Sequence, residues 1–366
     1  MKIVYYREKS ACKNFRGNRL TILEFPYYIG YTLKKRHALK GQKRLPFPVI
    51  SIGNITVGGT GKTPAAIALA EEALRRGLLP IVLTRGYRGK ANGPCFVRAR
   101  KYGGAEGPSF CSSARDAGDE PMLMAERLKN VPIVKCADRY EGGLFALQHL
   151  ADLPTHRFTD SPILFILDDG FQHWKLHRDV DIVLIDGLNP FGNRRLLPLG
   201  PLREPLSALK RADVFVVTKT ENEKAVSTLR AIKPGAPAYA SRYHVLGIRD
   251  SAGEAVPIER LKDRAGYVFC GIANDASFRQ TVQFLGVEIK GYRAYRDHHN
   301  YSEADLSFLI KEGRRCGSEI MVTTEKDMVK LRELGVPENL FSVEIAFQVD
   351  PGFFDTVFSK ITQGRS

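Results

Sequence analysis

The chain has 366 residues, 43% hydrophobic and 26% charged, enough for one large or two ordinary domains and too apolar for a disordered chain. Its net charge of +15 calls for an anionic partner: nucleic acid, an anionic membrane surface or a phosphorylated substrate. The 6 cysteines are scattered with no C-x-x-C pair, which favours reduced thiols over a disulfide framework or a zinc site, and neither a secretory signal nor an apolar run near the ~20 residues of a bilayer span is expected.

In chain order, the first informative segment is "LTILEFPYYIGYTLKKRHALKGQKR", Leu20 to Arg44. Its first half is apolar and tyrosine-rich and its second half strongly basic. Such a segment can lie in a headgroup interface, or it can pack on the protein with a solvated basic end. From Pro48 the pattern turns α/β. "FPVISIGNI" reads as a buried strand, a glycine loop follows, and "TPAAIALAEEALRRG" has apolar residues at helical spacing with Gly77 as a stop. "PIVLT" is the next strand. The runs "VPIVKC", "PILFIL", "VDIVLI" and "DVFVVT" continue a mainly parallel sheet covered on both faces.

After Lys219 the character changes. "AYASRYHVLGIRD" is expected to be a strand linking two lobes. "GYVFCGIAN", "EIKGYRAY" and "SEIMVTTEKD" read as strands of a smaller α/β unit, and "YSEADLSFLIKEG" as a helix capped by Ser302 and Asp305. The expected division is an N-terminal segment over 1–45, a P-loop NTPase domain over 46–240, and linker strands with a second, smaller α/β domain over 241–366, the break falling within 235–260.

The loop Thr56, Val57, Gly58, Gly59, Thr60, Gly61, Lys62, Thr63 sits between the first strand and its helix. In such a loop successive backbone N–H groups point at phosphate oxygens at the positive end of a helix. Gly58, Gly59 and Gly61 supply the backbone freedom, Lys62 reaches the β- and γ-phosphates, and Thr63 holds Mg²⁺ through its hydroxyl. Thr56 stands where the pattern G-x-x-x-x-G-K-[ST] opens with glycine, so only the entrance of the cradle departs. Asp168 and Asp169, at the end of "PILFILDDGFQH", are the carboxylates expected to orient the metal. Further polar groups fall where strands end: Arg85, Arg88, Asp119, Glu120, Arg139, Arg203 and Glu204. Ligands of open α/β sheets bind at those ends, and arginines there clamp phosphates.

Three other signals are weaker. "DHH" at Asp297–His299 lacks the D-x-D set of a metal phosphoesterase. His173 and His177 lack the Glu of H-E-x-x-H. "TKTE" at Thr218–Glu221 ends in Glu where a guanine-reading loop has Asp. A P-loop GTPase or metallochaperone using these residues, and a membrane module using ATP only as a switch, are the alternative readings.

Taken together and in order, "GNITVGGTGKTP", "RGYRG", "GDEP", "DDGFQH", "RLLPLGPLREP", "DHHNYS" and "TTEKD" resemble the tetraacyldisaccharide 4′-kinase family, lipid A pathway kinases of Gram-negative bacteria. The resemblance spans about Ser51 to Asp327 and includes the Thr at the loop entrance. It implies transfer of the ATP γ-phosphate, with Mg²⁺, to the 4′-hydroxyl of a lipid A disaccharide 1-phosphate precursor. It also implies a P-loop domain and a smaller α/β domain joined by a β-strand linker, with the site between them. An anionic lipid then accounts for the charge without nucleic acid, and the N-terminal segment is expected to dock peripherally on the anionic cytoplasmic face of the inner membrane. Arg85, Glu120, Arg139, Arg203 and Glu204 become the expected substrate-binding set. Two departures are Glu24 and Pro26 inside the N-terminal segment, and a few extra residues expected in "CFVRARKYGGAEGPSFCSSARDAGDEP".

The proton of the sugar hydroxyl needs an acceptor that loop, Lys62 and metal do not supply. A His held by a carboxylate is suited to it. Asp119 of the first unit and His298 of the second are expected to meet when the lobes close, and the resemblance points to the same pair, with His298 matching better than His299.

Overall fold

The computed structural model describes residues 21–98, 109–153 and 161–363. Its centre is β1 (Val49–Gly53), buried along its whole length and hydrogen-bonded in parallel to β6 (Ile163–Asp168) on one side and β7 (Val180–Asp186) on the other. β2 (Leu79–Thr84) and β5 (Ile133–Lys135) extend the parallel sheet beyond β6, and β8 (Val214–Thr218) extends it beyond β7. These strands are continuous apolar runs because helices cover both faces. On one face α2 (Lys62–Arg75) buries Ala66, Leu69, Ala70 and Ala73 in the same cluster as Ile50, Ile52 and Ile166. The opposite face of β1, β2 and β6 packs with Ala146 of α5 (Arg139–Gln148) around Phe165, Leu167 and Ile81. This topology brings the carboxyl ends of β1, β2 and β6 together, where an open α/β sheet binds its ligand.

β9 (Ala238–Arg249) belongs to two sets of strands. Ala238–Ala240 pair in parallel with β8, and Ser241–Arg249 pair antiparallel with β14 (Leu340–Val349). Beyond β14 lie β13 (Ile320–Thr324), β11 (Ala265–Cys270) and β12 (Glu288–Ala294), all parallel, while the short β10 (Ala255–Val256) pairs with β9. The result is an α/β fold on one large, mixed and mostly parallel sheet. α7 (Asp275–Phe284) and α8 (Glu303–Arg315) connect the last parallel strands, and α8 carries the Ser302–Asp305 capping box. The last helix, α10 (Gly352–Gln363), returns to the first half. Its Phe353, Val357, Phe358 and Ile361 join the β1–α2 core, each contributing roughly 1.5–3 kcal/mol of burial. α6 (Glu223–Ile232) follows β8, and the short α3 (Ala114–Ala117) leads into α4 (Asp119–Arg127). α4 and α9 (Glu325–Leu331) meet across the halves, where Arg127 is buried between Glu325 (3.1 Å) and Glu344 (2.8 Å).

Helix α1 (Phe25–Lys40) lies across the loops after β6 and β7. Glu24 and Pro26 start it. The Glu24 carboxylate accepts from the Leu196 amide (2.8 Å) and Arg195 (3.1 Å), and Pro26 fills the first turn, where no amide donor is needed. Residues 1–20 of the expected N-terminal segment, Cys12 among them, and residues 99–108, part of the stretch Cys95–Pro121 in which extra residues are expected, lie outside the described residues.

The cysteine expectation is corrected at one place. β3 (Cys95–Val97) and β4 (Phe110–Cys111) pair in parallel at the sheet edge beside β5, bringing the Cys95 and Cys111 Cα atoms to 6.0 Å, and their sulfurs are joined. The pairing arises from two very short strands that carry no hydrophobic period, so nothing in the spacing revealed it. Among the described residues Cys136, Cys270 and Cys316 are free.

Candidate active site

The phosphate loop leaves β1 through Thr56, and the structure accounts for the missing glycine. Thr56 is buried and forms an antiparallel bridge with Leu202; the flanking bonds run from Val57 N to Pro201 O (2.8 Å) and from Arg203 N to Ile55 O (2.7 Å). A residue in that extended bridge needs no left-handed backbone. The positions that do are Gly58 (φ 113) and Gly61 (φ 81), the residue before α2. The Asn54 side-chain amide donates to Thr60 Oγ1 (3.0 Å), and the Tyr243 hydroxyl of β9 donates to the Thr60 carbonyl (3.2 Å). Lys62 opens α2 with its ammonium 3.7 Å from Asp169.

Two carboxylates end β6. Asp168 is buried. One oxygen accepts from Thr84 Oγ1 (3.2 Å), and the other, Oδ1, is buried with no partner. Burial, with Glu120 and Asp169 adding negative charge, pushes its pKa above the usual carboxylate range. Burial also raises Asp169, but Lys62 and Arg203 outweigh it and hold that carboxylate below its usual range; Arg203 Nη1 donates to both its oxygens, at 3.1 and 3.0 Å. A buried carboxylate oxygen with no partner, next to a second carboxylate at the carboxyl end of β6, fits a divalent cation. Among the described residues no three His, Cys, Asp or Glu side chains form a cage. Magnesium needs none, since it keeps waters and substrate phosphates among its ligands.

The second half supplies His298. Its backbone is left-handed (φ 59), held by its amide donating to Gly271 O (3.1 Å) and by Arg88 Nη1 donating to its carbonyl (2.7 Å). Its Nδ1 lies 2.9 Å from Oδ2 of Asp119, the buried first residue of α4. Burial pushes the Asp119 pKa up, but the bond to His298 and the charges of Lys326 and Lys330 outweigh it and hold it at about 2. Lys326 of α9 completes the group: Nζ is 3.2 Å from His298 Nε2 and 3.3 Å from Glu120. Burial disfavours its charge, yet Glu120, Asp119 and Asp297 raise its pKa. Sequence reasoning gave Lys326 no role. The one signal was its place in "TTEKD", where a lone lysine after a strand looks like any exposed one.

A cavity of about 580 Å³ joins these parts; Gly58–Thr63, Asp169, Arg203, Glu120, His298 and Lys326 all face it, with Tyr243, Ile345 and Phe347 on its apolar side. A second cavity, of about 360 Å³, lies behind the Asp119–His298 contact. The remaining expected residues are placed differently. Arg139 is buried at the start of α5, its Nη1 donating to Ala137 O (3.1 Å); burial pushes its pKa down, against the pull of Asp168 and Asp169. Arg85 is exposed after β2. Glu204 does not face the cavity. It is fully buried beneath α1, accepting from Arg211 (2.8 Å), Tyr31 (3.0 Å) and Gln172 (2.9 Å). His173 and His177 lie in the loop between β6 and β7, and burial pushes the His173 pKa down to about 3.

Comparison with known proteins places this geometry. The family profile described as tetraacyldisaccharide-1-P 4′-kinase matches residues 18–363. The tetraacyldisaccharide 4′-kinase of Syntrophus aciditrophicus is 35% identical over 365 residues, covering 94% of this chain and 93% of that protein. The tetraacyldisaccharide 4′-kinase of Aquifex aeolicus is 36% identical over 337 residues, covering 91% and 95%. The crystal structure of the "apo" form of LpxK from Aquifex aeolicus in complex with ATP superposes with a TM-score of 0.69 at 34% identity, covering 92% of this chain and 97% of that one. The chain therefore belongs to the tetraacyldisaccharide 4′-kinase family, and its activity is that of a tetraacyldisaccharide 4′-kinase, a phosphotransferase of lipid A biosynthesis.

Proposed function

We propose that this kinase works as two lobes closing on its substrates: a P-loop NTPase lobe over 46–240 and a smaller α/β lobe over 241–366, joined by β9, with α10 strapped back onto the first. The single observation that carries the proposal is the 2.9 Å contact between Asp119 and His298, made across the two lobes beside the phosphate loop. Thr56 to Thr63 cradle the phosphates of ATP, the nucleotide bound by the Aquifex relative, and Lys62 neutralises charge on the transferring group. Thr63, Asp168 and Asp169 would hold Mg²⁺, which when bound neutralises charge on the phosphates. Asp119 orients His298 and stabilises its charged form, and His298 takes the proton of the 4′-hydroxyl. Arg203 and Glu120 face the acceptor from the cavity wall, with Arg85 and Arg139 at neighbouring strand ends. Glu204 acts through the loop and helix it holds.

The acceptor is a lipid, and α1 suits it. Among the described residues no helix is long and apolar enough to cross a membrane. Yet Ile22, Leu23, Phe25, Ile29 and Leu33 are exposed, next to the basic Lys34, Lys35 and Arg36. We read residues 1–45 as a peripheral anchor on the anionic cytoplasmic face of the inner membrane. The test is transfer of label from ATP, with Mg²⁺, to the disaccharide 1-phosphate lipid in anionic vesicles. The wild type is expected to label the lipid. Asp119→Ala and His298→Ala variants that label it at the wild-type rate overturn the assignment.

A further inference from the structure

His298 is in contact with a charged group on each ring nitrogen. Nδ1 faces Asp119 at 2.9 Å, while Nε2 faces the Lys326 ammonium at 3.2 Å and Asp297 Oδ2 at 3.9 Å. Lys326 is held where it is by three carboxylates drawn from both halves: Glu120 at 3.3 Å, Asp297 at 3.7 Å and Asp119 at 3.8 Å. The other charged groups near the pair are Lys330, 3.9 Å from Asp119 and itself paired with Asp327, and Arg88 on the His298 carbonyl. The Tyr87 ring meets the imidazole edge-on, with centroids 5.6 Å apart.

An ammonium has three donors and no acceptor. In hydrogen-bond contact with Lys326, Nε2 must therefore be the unprotonated nitrogen, and a neutral ring carries its proton on Nδ1, directed at Asp119. Without the ammonium, the nearest polar group facing Nε2 would be the Asp297 carboxylate, which can only accept. The ring would then sit between two carboxylates, favouring a second proton, on Nε2, beside the one on Nδ1, and a ring with both nitrogens protonated has no lone pair to receive another.

We propose that Lys326 is a positioning residue for proton transfer: by donating to His298 Nε2 it fixes the ring as the Nδ1–H tautomer on Asp119 and keeps the Nε2 lone pair open toward the nucleotide cavity. This rests on the Asp119–His298 reading above. In the reaction the acceptor hydroxyl replaces the ammonium at Nε2. Its oxygen forms the new bond to the γ-phosphorus, the bond from that phosphorus to the β–γ bridging oxygen breaks to release ADP, and the hydroxyl proton passes to Nε2. The ring then carries one proton on each nitrogen, and Asp119 balances its charge.

The test is long-range ¹H–¹⁵N correlation on full-length protein labelled with ¹⁵N-histidine, with His298 assigned by comparison with His298→Gln, together with steady-state kinetics of Lys326→Met and Lys326→Arg. The wild type is expected to show a pyridine-like Nε2 and a pyrrole-like Nδ1. In Lys326→Met the Nε2 becomes protonated, and kcat falls about 10²-fold, the lower end of the range for acid–base catalysis, with the KM for ATP little changed. Arginine is also a pure donor, so Lys326→Arg restores the unprotonated Nε2 and part of kcat. A wild-type ring protonated on Nε2, or a Lys326→Met ring whose Nε2 stays unprotonated, overturns the role of Lys326 whatever happens to the rate. A protonated Nε2 in Lys326→Met with unchanged kcat overturns instead the reading of His298 as the proton acceptor, and the positioning role falls with it.

Discussion

The Tyr243 hydroxyl lies 3.2 Å from the Thr60 carbonyl and only 1.4 Å from the place a Cβ on Gly61 would take. The strand that links the two halves thus rests directly on the phosphate loop, and two independent constraints demand glycine at 61. The backbone is left-handed there (φ 81), which costs an L-residue roughly 1–2 kcal/mol, and any side chain collides with the phenol. Gly61→Ala is expected to weaken ATP binding at least about tenfold, the equivalent of ~1.4 kcal/mol, by calorimetric titration. Adding Tyr243→Ala removes the collision but not the backbone cost, so affinity returns only in part. A Gly61→Ala protein with wild-type ATP affinity would show that the loop does not hold the nucleotide in this form.

Asp119 and His298 are expected to act as a unit. Each single change to alanine should lower kcat by roughly 10²–10⁴-fold while leaving ATP affinity nearly unchanged, since neither residue belongs to the phosphate loop. The double variant should be scarcely worse than the poorer single one, because residues that move one proton together lose their effect together. Multiplicative losses in steady-state assays would mean that the two side chains contribute separately.

The parts of this site that the sequence made legible share a physical cause. β1, β6 and α2 are long, strongly patterned and buried, and Gly58, Lys62 and Asp168 follow them at fixed distances. Asp119 and His298 are 179 residues apart along the chain, so no local pattern joins them, and the expectation that they meet rests on the chemistry of a base and its carboxylate and on the family resemblance. β3 and β4 were invisible at three and two residues each, and with them the Cys95–Cys111 pairing. β14 and α10 carry none of the motifs that mark the site, although β14 forms the ladder with β9 and α10 closes the first core. Glu204 shows the opposite failure. Its position after a strand suggested a ligand, whereas the fold uses it to tie Arg211, Gln172 and Tyr31 together.

The start of α1 gives a pH prediction. The Thr21 amide holds the Glu24 pKa down to about 2 against burial, helped by the Leu196 amide, the Thr21 hydroxyl and Arg195. A carboxyl whose pKa is lower in the folded state stabilises the fold above its unfolded value, here 4.5, and loses that contribution as the pH falls toward 2. The single tryptophan, Trp174, reports on this helix, since its ring meets Tyr31 of α1 with centroids 5.5 Å apart. Glu24→Gln is expected to loosen α1 and shift Trp174 emission to longer wavelength at neutral pH. The difference between variant and wild type should shrink as the pH drops below about 4.5. Identical emission from the two proteins at neutral pH would mean that Glu24 does not hold the helix.

The membrane reading turns on which face of α1 is free. Tyr27 and Tyr31 point inward, donating to the Arg203 carbonyl at 2.8 Å and to Glu204 at 3.0 Å, so deleting the helix would disturb the loop that carries Arg203. Phe25, Ile29 and Leu33 follow one another at four-residue spacing on one face and are 55%, 41% and 60% exposed. They are therefore the cleaner target. Changing all three to serine removes three side chains that each gain ~1.5–3 kcal/mol when fully buried, and even partial burial in a headgroup region exceeds the ~1.4 kcal/mol of a tenfold effect. The triple variant is expected to bind anionic vesicles at least about tenfold more weakly, in sedimentation assays, with unchanged melting temperature and unchanged turnover on a short-chain dispersed substrate. Added salt should weaken vesicle binding of both proteins, because Lys34, Lys35 and Arg36 contribute a screened attraction that serine at the other three positions leaves in place. Equal partitioning of the triple variant and the wild type would leave the basic residues alone as the contact, and α1 would then be held at the surface by charge with no insertion of its apolar face.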